Sequence, residues 1–584
     1  MRKFINSKTI IFCSLIALII SSCEKTDTDF HIDQSKTEIE GLIVLGEQLE
    51  NPYSVENMKL AYEALRGTNT LKATLDIEAT HLYVRFKPKN NQEQTWLTRD
   101  SSIYIYDYPL DHEIVRRGTY YHDPSIPSNE ITWQYTVVPV DYDFPNIHSQ
   151  ILEELYLPHY TSNHEDDDDK LQIESSNWQA LETEALLMTG NLNENDQSVK
   201  KATEWRPSGN IKVHDDEIGS YTTTNTVFDH WEYYDCDTGE PLDPPEDPRP
   251  ILTKSTSRIE PPEYCQRAVY RTVTTTVYSS KIPIEGVDVR ARNWFTTYSD
   301  ITDANGDFRC NGTFSGDVNY SIKWENDYFD IRDGAYGQAY YNGPEKIGSW
   351  NLVIEESSTP KSFLFAHIYR AGYTYYFKNN LWGIKKPTNF NTRFFGLIAS
   401  RLHIGGRIDS PNASHYFDFN ELWQAATVLV HQNGRNSRGI FNVTIHELAH
   451  ASHWEIVGTY DINWLINNRI AESWASGVDA KITADIYGST NPDEIMQNRT
   501  IYYMTEGAGK GYTCIVWDLM DDHNQFGTNP AYPNDQVKDY TLSQIEFSLP
   551  MIFGSWSTWC NRLIDNFDNA TEEHVEDLFD EFDN

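Results

Sequence analysis

Basic residues are scarce: 47 Lys and Arg stand against 87 Asp and Glu in 584 residues, a net charge of −40. Nucleic acid and anionic bilayers both call for basic surface, so neither is expected as a partner. Long apolar runs are scarcer still. The run from Ile10 to Ile20 has eleven residues, whereas a membrane-spanning helix needs about 20, and no other segment could cross a bilayer. Seven cysteines are present and none forms a C-x-x-C pair, which removes the usual signature of a redox dithiol or a thiolate zinc site. What the chain has in quantity is aromatic residues, 13% of the total, within a hydrophobic content of 39%. Rings can stack on sugars, as in secreted glycan-handling proteins, but the simpler reading is that they fill β-rich cores. The length leaves room for three or four domains.

The N-terminus sets the compartment. Arg2 and Lys3 precede the apolar run, which closes in Ile20-Ser21-Ser22-Cys23; this is the pattern of a secretory signal peptide. The small residues before the cysteine resemble a bacterial lipobox, which implies that residues 1–22 are removed and that Cys23 carries the lipid. Glu24, Asp27 and Asp29 follow, similar to the export tag of surface lipoproteins in Bacteroidetes-type bacteria. The expected location is the outer membrane, lipid-anchored and facing the exterior, with residues 23–35 as a tether. With Cys13 in the signal and Cys23 acylated, five cysteines remain. Cys236–Cys265 and Cys514–Cys560 are candidate disulfides, with Cys310 left over; spacing alone does not fix the pairing.

The segment richest in chemistry is Val443-Thr444-Ile445-His446-Glu447-Leu448-Ala449-His450, followed 22 residues later by Glu472. On a helix, His446 and His450 stand one turn apart on one face, with Cβ atoms about 5–6 Å from each other. That suits two ligands of one Zn²⁺, whose bonds to nitrogen are about 2.0–2.1 Å. Glu447 lies between them and can take the proton of a water held by the metal. The flanks are uncharged, as for a helix packed in a core. The alternative is a buried amphipathic helix with two hydrogen-bonded histidines. Residues 467–479, containing Glu472, also have helical character and offer a third ligand.

The H-E-x-x-H…E outline resembles the gluzincin class of zinc metallopeptidases, which includes thermolysin-like enzymes; the likeness covers about residues 360–530. It implies His446, His450 and Glu472 as metal ligands and Glu447 as general base. Thermolysin-like enzymes carry an acidic residue four positions after the glutamate ligand, where this chain has Ser476, so Ser476 and Asp479 are both candidates for the residue steadying a histidine. His453 is a rival ligand, but the metzincin pattern would need glycine at 453 and histidine at 456, where His453 and Ile456 stand. For the donor to the developing oxyanion, the turn Glu506–Gly511 leads to Tyr512, the catalytic candidate, with His523 and the Tyr502/Tyr503 pair as alternatives.

The remainder reads as a multidomain α+β protein. Residues 36–160 form an α+β domain: a helix opening at Asn51-Pro52-Tyr53-Ser54 and running through Leu65, then strands over 80–86, 102–106 and 132–137. Residues 161–207 are an acidic linker and helix, with the charge run His164 to Lys170 as a solvated loop. Residues 208–357 hold strands at Gly209–Val213 and Ile282–Ala291 and the stretch Thr302-Asp303-Ala304-Asn305-Gly306-Asp307-Phe308. That order resembles the carboxypeptidase regulatory-like domain, a small transthyretin-like β-sandwich, and implies a stiffening or spacing role. Asn305-Gly306 is a type I′ hairpin signal. Asp300, Asp303, Asn305 and Asp307 lack the closing glutamate and helical flanks of an EF-hand and read as turn residues. The insertion 220–280 has threonine-rich ends that could pair as a protruding hairpin. Residues 358–584 read as a mainly helical, zincin-like domain with a small sheet: a helix around His367–Tyr373 and strands over 400–404 and 426–430, with Ala425–His431 as the edge that pairs with an extended substrate. The acidic tail from Glu572 reads as a surface helix end.

Three functions compete on this evidence. The first is a surface-anchored zinc endopeptidase acting on a protein or glycoprotein. The second is a catalytically inactive zincin-like binding or adhesin lipoprotein recognising a glycoprotein or glycan. The third is a structural stalk without metal.

Overall fold

The computed structural model describes residues 41–583 apart from 69, 71–74, 158–174, 193–203, 236–237, 239, 243–264, 334–336, 388–400, 409–414, 417–427, 458–467, 489–512, 525, 527–532 and 552. Helix and sheet are mixed throughout, and the strands of the described residues form six sheets. The expectations for Cys23, for the charge run at 164–170 and for Tyr502, Tyr503 and Tyr512 lie outside the described residues.

The N-terminal region contains β1 (Val44–Gln48), α1 (Val55–Gly67), β2 (His81–Lys87), α2 (Asn91–Thr98), β3 (His112–Arg116), β4 (Gln134–Pro139), β5 (His148–Leu155) and α3 (Ser175–Met188). Ser54 caps α1 by accepting from the Asn57 N–H, the predicted start. Central strand β2 lies between β4 and β5, and its alternation sends Tyr83 into one core and Val84 and Phe86 into another. The expected strand at 102–106 does not form; only Tyr106 bridges, to Tyr135. These tyrosines serve cross-region packing instead: Tyr104 and Tyr106 meet Ser299 and Thr297 and lie over the Arg290 guanidinium.

Next come β6 (Ser208–His214), β7 (Tyr221–Tyr234), β8 (Pro241–Leu242), β9 (Cys265–Val277), β10 (Lys281–Pro283), β11 (Asp288–Asn293), β12 (Thr296–Ile301), β13 (Asp307–Arg309), β14 (Val318–Lys323), β15 (Phe329–Asp333), β16 (Gly337–Gln338), β17 (Tyr340–Lys346) and β18 (Trp350–Ile354). One sheet gathers β18, β6, β10 and β13; a second runs β12-β11-β14-β17. Aromatic contacts join them, Phe308 to Tyr320 at 6.1 Å and Tyr320 to Trp350 at 5.3 Å. The threonine-rich ends do pair, as β7 with β9, placing Thr222 opposite Thr276 and Thr224 opposite Thr274. The expected single strand over 282–291 is broken by a turn at Gly286 (φ 83°), where a Cβ would fall 2.1 Å from the Tyr373 ring. The Asn305-Gly306 expectation also needs correction. Gly306 is left-handed but Asn305 is not, so the turn is not type I′, and the strands on either side belong to different sheets. The Asp303 carboxylate ties this turn by accepting from the N–H groups of Asn305 and Asp307.

The C-terminal region holds α4 (Pro360–Phe377), β19 (Leu402–Arg407), β20 (His415–Tyr416), β21 (Val428–His431), α5 (Ser437–Val457), α6 (Asn468–Tyr487), α7 (Ile515–Asp518), α8 (Leu542–Ser548), α9 (Trp556–Asn566) and α10 (Val575–Asp583). Its sheet, β16-β15-β19-β21-β20, borrows two strands from the preceding region: β15 pairs in parallel with β19, Phe329 opposite Leu402. β21 is not the edge, because β20 pairs antiparallel outside it. The acidic tail is more than a surface end. Val575, Leu578, Phe579 and Phe582 are buried and dock α10 by its apolar stripe. Cys514 and Cys560 are both free and buried, so that disulfide does not form, and Cys310 is free as expected. Cys265 is disulfide-bonded; Cys236 lies outside the described residues.

A buried polar seam joins the three regions. Glu325 receives Lys323 (2.9 Å), Arg401 (2.8 Å) and Arg290 (3.4 Å), and Arg290 also pairs with Asp288 at 2.7 Å. The guanidinium groups continue into the N-terminal region: Arg290 donates to the Ile105 carbonyl, Arg401 to that of Thr98, and Arg332 to Gln94. Burial favours the neutral acid at Glu325, but its three cations outweigh that and hold its pKa below the usual range. Removing one member of such a buried set strands the rest uncompensated. Glu325→Ala is therefore expected to cost about 3–5 kcal/mol in denaturant unfolding; a cost below about 1 kcal/mol, the scale of an exposed pair, would contradict this account of the seam.

Candidate metal centre

Helix α5 starts behind Asn436, whose side chain accepts from the Gly439 N–H and fills an N-cap role. Ser437 anchors the same end, its hydroxyl donating to Asp215 at 3.0 Å. Phe441, Ile445, Leu448 and Ser452 recur at helical spacing and are fully buried, so this stripe fixes the rotation of the helix. The same rotation leaves His446 and His450 partly accessible, at 13% and 14% side-chain exposure. On α6, Ile470, Trp474, Val478 and Ile482 form the buried stripe. Glu472 and Asp479, seven residues apart, share the face turned to α5.

The two faces converge. His446 Nε2 and His450 Nε2 each lie 3.3 Å from Glu472 Oε2, and the two nitrogens are 3.1 Å apart. A tetrahedral zinc with bonds of about 2.0–2.1 Å has ligand–ligand edges of about 3.3–3.4 Å, so the three atoms outline one face of such a site. Hydrogen bonding accounts for only part of the arrangement, the contact between the two imidazole nitrogens. Glu472 Oε2 is buried and makes no hydrogen bond of acceptable geometry, and the imidazole planes stand 85° apart. The donor set, two imidazoles and a carboxylate, is that of a zinc hydrolase. The residues fit the ion.

His446 Nδ1 donates to Asp479 Oδ2 at 2.8 Å. This bond fixes the tautomer whose Nε2 lone pair faces Glu472 and His450, and it decides between the two candidates: Asp479 fills the role, not Ser476. Burial alone would lower the His446 pKa, but Asp479 and Glu472 outweigh it and raise it well above the ordinary value. Burial would raise Glu472; the two imidazoles outweigh that and push it down. Glu447, 4% exposed, is raised chiefly by burial, the environment that makes a carboxylate a better proton acceptor. His453 is buried and stands apart from the three converging groups; burial and His450 lower its pKa to about 3. His523 is exposed.

The segment behind Glu472 is braced from the far side. Thr513 donates its N–H to the Ser473 hydroxyl at 3.2 Å, and Val516 packs so closely on Gly477 that a Cβ there would lie 2.2 Å from it. The only trace of this contact in the sequence is Gly477 inside a helical pattern. One other group of described residues brings ligand atoms together, Asp518, Asp521 and Asp535, and no spacing signature announced it. No protein-family model, curated protein or solved structure matches this chain. Asp479→Ala is expected to weaken zinc binding about 10–100-fold in competition with a chromophoric chelator, while Ser476→Ala leaves it unchanged. Equal affinities for both variants would contradict the assigned support.

Proposed function

We propose that this protein is a zinc-dependent endopeptidase of gluzincin type, with residues 358–584 as its catalytic region. The observation that carries the reading is the convergence of His446, His450 and Glu472 from two helices, with Glu447 between the histidines and Asp479 behind one of them. When bound, Zn²⁺ supplies Lewis acidity, which acidifies a water and polarises the scissile carbonyl. Glu447 takes the proton from the attacking water and delivers it to the leaving amide nitrogen. Asp479 holds His446 in the ligating tautomer throughout. Tyr512 is the proposed donor to the developing oxyanion.

In the same reading, residues 208–357 act as a carboxypeptidase regulatory-like spacer and residues 36–160 as an N-terminal α+β domain. Cys23 carries the lipid that anchors the chain on the outer surface of the outer membrane, with a protein or glycoprotein as substrate. Glu447→Gln is expected to lower cleavage of a quenched-fluorescence peptide library by about 10²–10⁴-fold while the protein keeps its zinc. Turnover at the parent rate in that variant would exclude Glu447 as the base.

A further inference from the structure

Some distance along the chain from the histidines, three carboxylates crowd together, and Asp518 and Asp535 each keep one buried oxygen without a hydrogen bond. Asp518 ends α7 and is fully buried. Its Oδ2 accepts from the Cys514 thiol at 3.2 Å, which leaves Oδ1 buried without a hydrogen bond. Asp535 is 3% exposed; its Oδ1 accepts from the Val537 N–H at 2.9 Å and its Oδ2 is likewise without a partner. Asp521, one helical turn after Asp518, is partly exposed. One oxygen from each of the three lies within 4.8 Å of the others. Glu581 of α10 stands close by and accepts from the Asn534 N–H at 2.7 Å. No Lys or Arg of the described residues pairs with Asp518 or Asp535.

Burying a carboxylate without a donor or a cation is costly, and placing three together adds repulsion. Burial raises all three, Asp521 to about 6 and Asp535 to about 8; Asp535 and Asp521 add to it at Asp518, and Asp521 adds to it at Asp535, whereas the His523 N–H and the Trp517 indole offset it at Asp521. Two arrangements relieve this, shared protons or a bound cation. We infer that Asp518, Asp521 and Asp535 form a Ca²⁺ site. The donors are all oxygen, which selects a hard cation over zinc. Three carboxylates drawn directly onto one ion suit the six to eight flexible ligands of Ca²⁺ better than Mg²⁺, which keeps most of its waters.

The site fastens the stretch 513–521 to Asp535, and that stretch is the one that braces α6 behind Glu472 through Thr513 and Val516. Its role is structural, and it stands whether or not the zinc centre is catalytic.

The test uses purified full chain, stripped of metal, reloaded with one zinc and dialysed against ⁴⁵Ca²⁺ at about 1 mM, the range of extracellular calcium modules. The surface is acidic enough to gather calcium loosely, so a Asp518→Asn, Asp535→Asn double variant is the control. The parent should hold one equivalent more than the variant, and its melting midpoint should rise by several degrees with Ca²⁺ but not with equal Mg²⁺. Asp521→Asn, at the partly exposed position, should show the same loss if the double variant does not fold. Equal calcium uptake by parent and variants, or a parent midpoint indifferent to Ca²⁺, would overturn the assignment in favour of shared protons.

Discussion

Two imidazole nitrogens and a carboxylate oxygen are held 3.1–3.3 Å apart where two helices meet, close to the edge lengths of a tetrahedral zinc site. The spacing is useful only if α5 and α6 keep their mutual rotation to within a fraction of an ångström. That is the constraint on which the C-terminal architecture depends. Each helix is fixed by a fully buried stripe. Tyr375 of α4 pins α5 at Ser452 with a 3.0 Å contact, and Gly477 admits Val516 against α6 where any side chain would push it away. The three converging side chains therefore sit on rigid elements, and Asp479 aims one of them.

The rest of the molecule extends this rigidity. β15 and β16 arise in the strand-rich middle of the chain yet complete the sheet beside the motif helix. One cluster of buried hydrophobic side chains has members from Ile211 to Phe582. The hairpin tip Trp294-Phe295 plugs the N-terminal core, with Phe295 4.9 Å from Tyr83, and its two-residue turn takes a left-handed backbone at Trp294 (φ 49°). Around Glu325, charges from the middle and C-terminal regions meet out of water, and carbonyls of the N-terminal region accept from them. Such seams add little net stability beside a well-packed apolar core, but they penalise wrong pairings severely, and here they define how the regions join.

The residues of the candidate metal centre were legible because their spacing is local. H-E-x-x-H is a helical i, i+4 pattern, and Glu472 lies on the next helix. Choosing Asp479 over Ser476 required the rotation of α6, which sequence leaves open. Alternation found β2, β4 and β6 for the same reason, since a period of two is a local signal. It failed at 102–106, where alternating tyrosines pack against arginines instead of pairing as a strand. It failed again at β21, because nothing local shows that two residues from 415 cover that edge. The aspartate group at 518, 521 and 535 was invisible, since it is assembled by tertiary packing of residues that look like ordinary surface acids.

The most direct test of the zinc assignment is metal content by plasma mass spectrometry on the purified chain and on Glu472→Ala. Close to one zinc per chain is expected in the parent and much less in the variant, because two histidines alone leave the ion under-coordinated. A parent that takes up no zinc after incubation with it would contradict the metal centre and the hydrolase reading built on it.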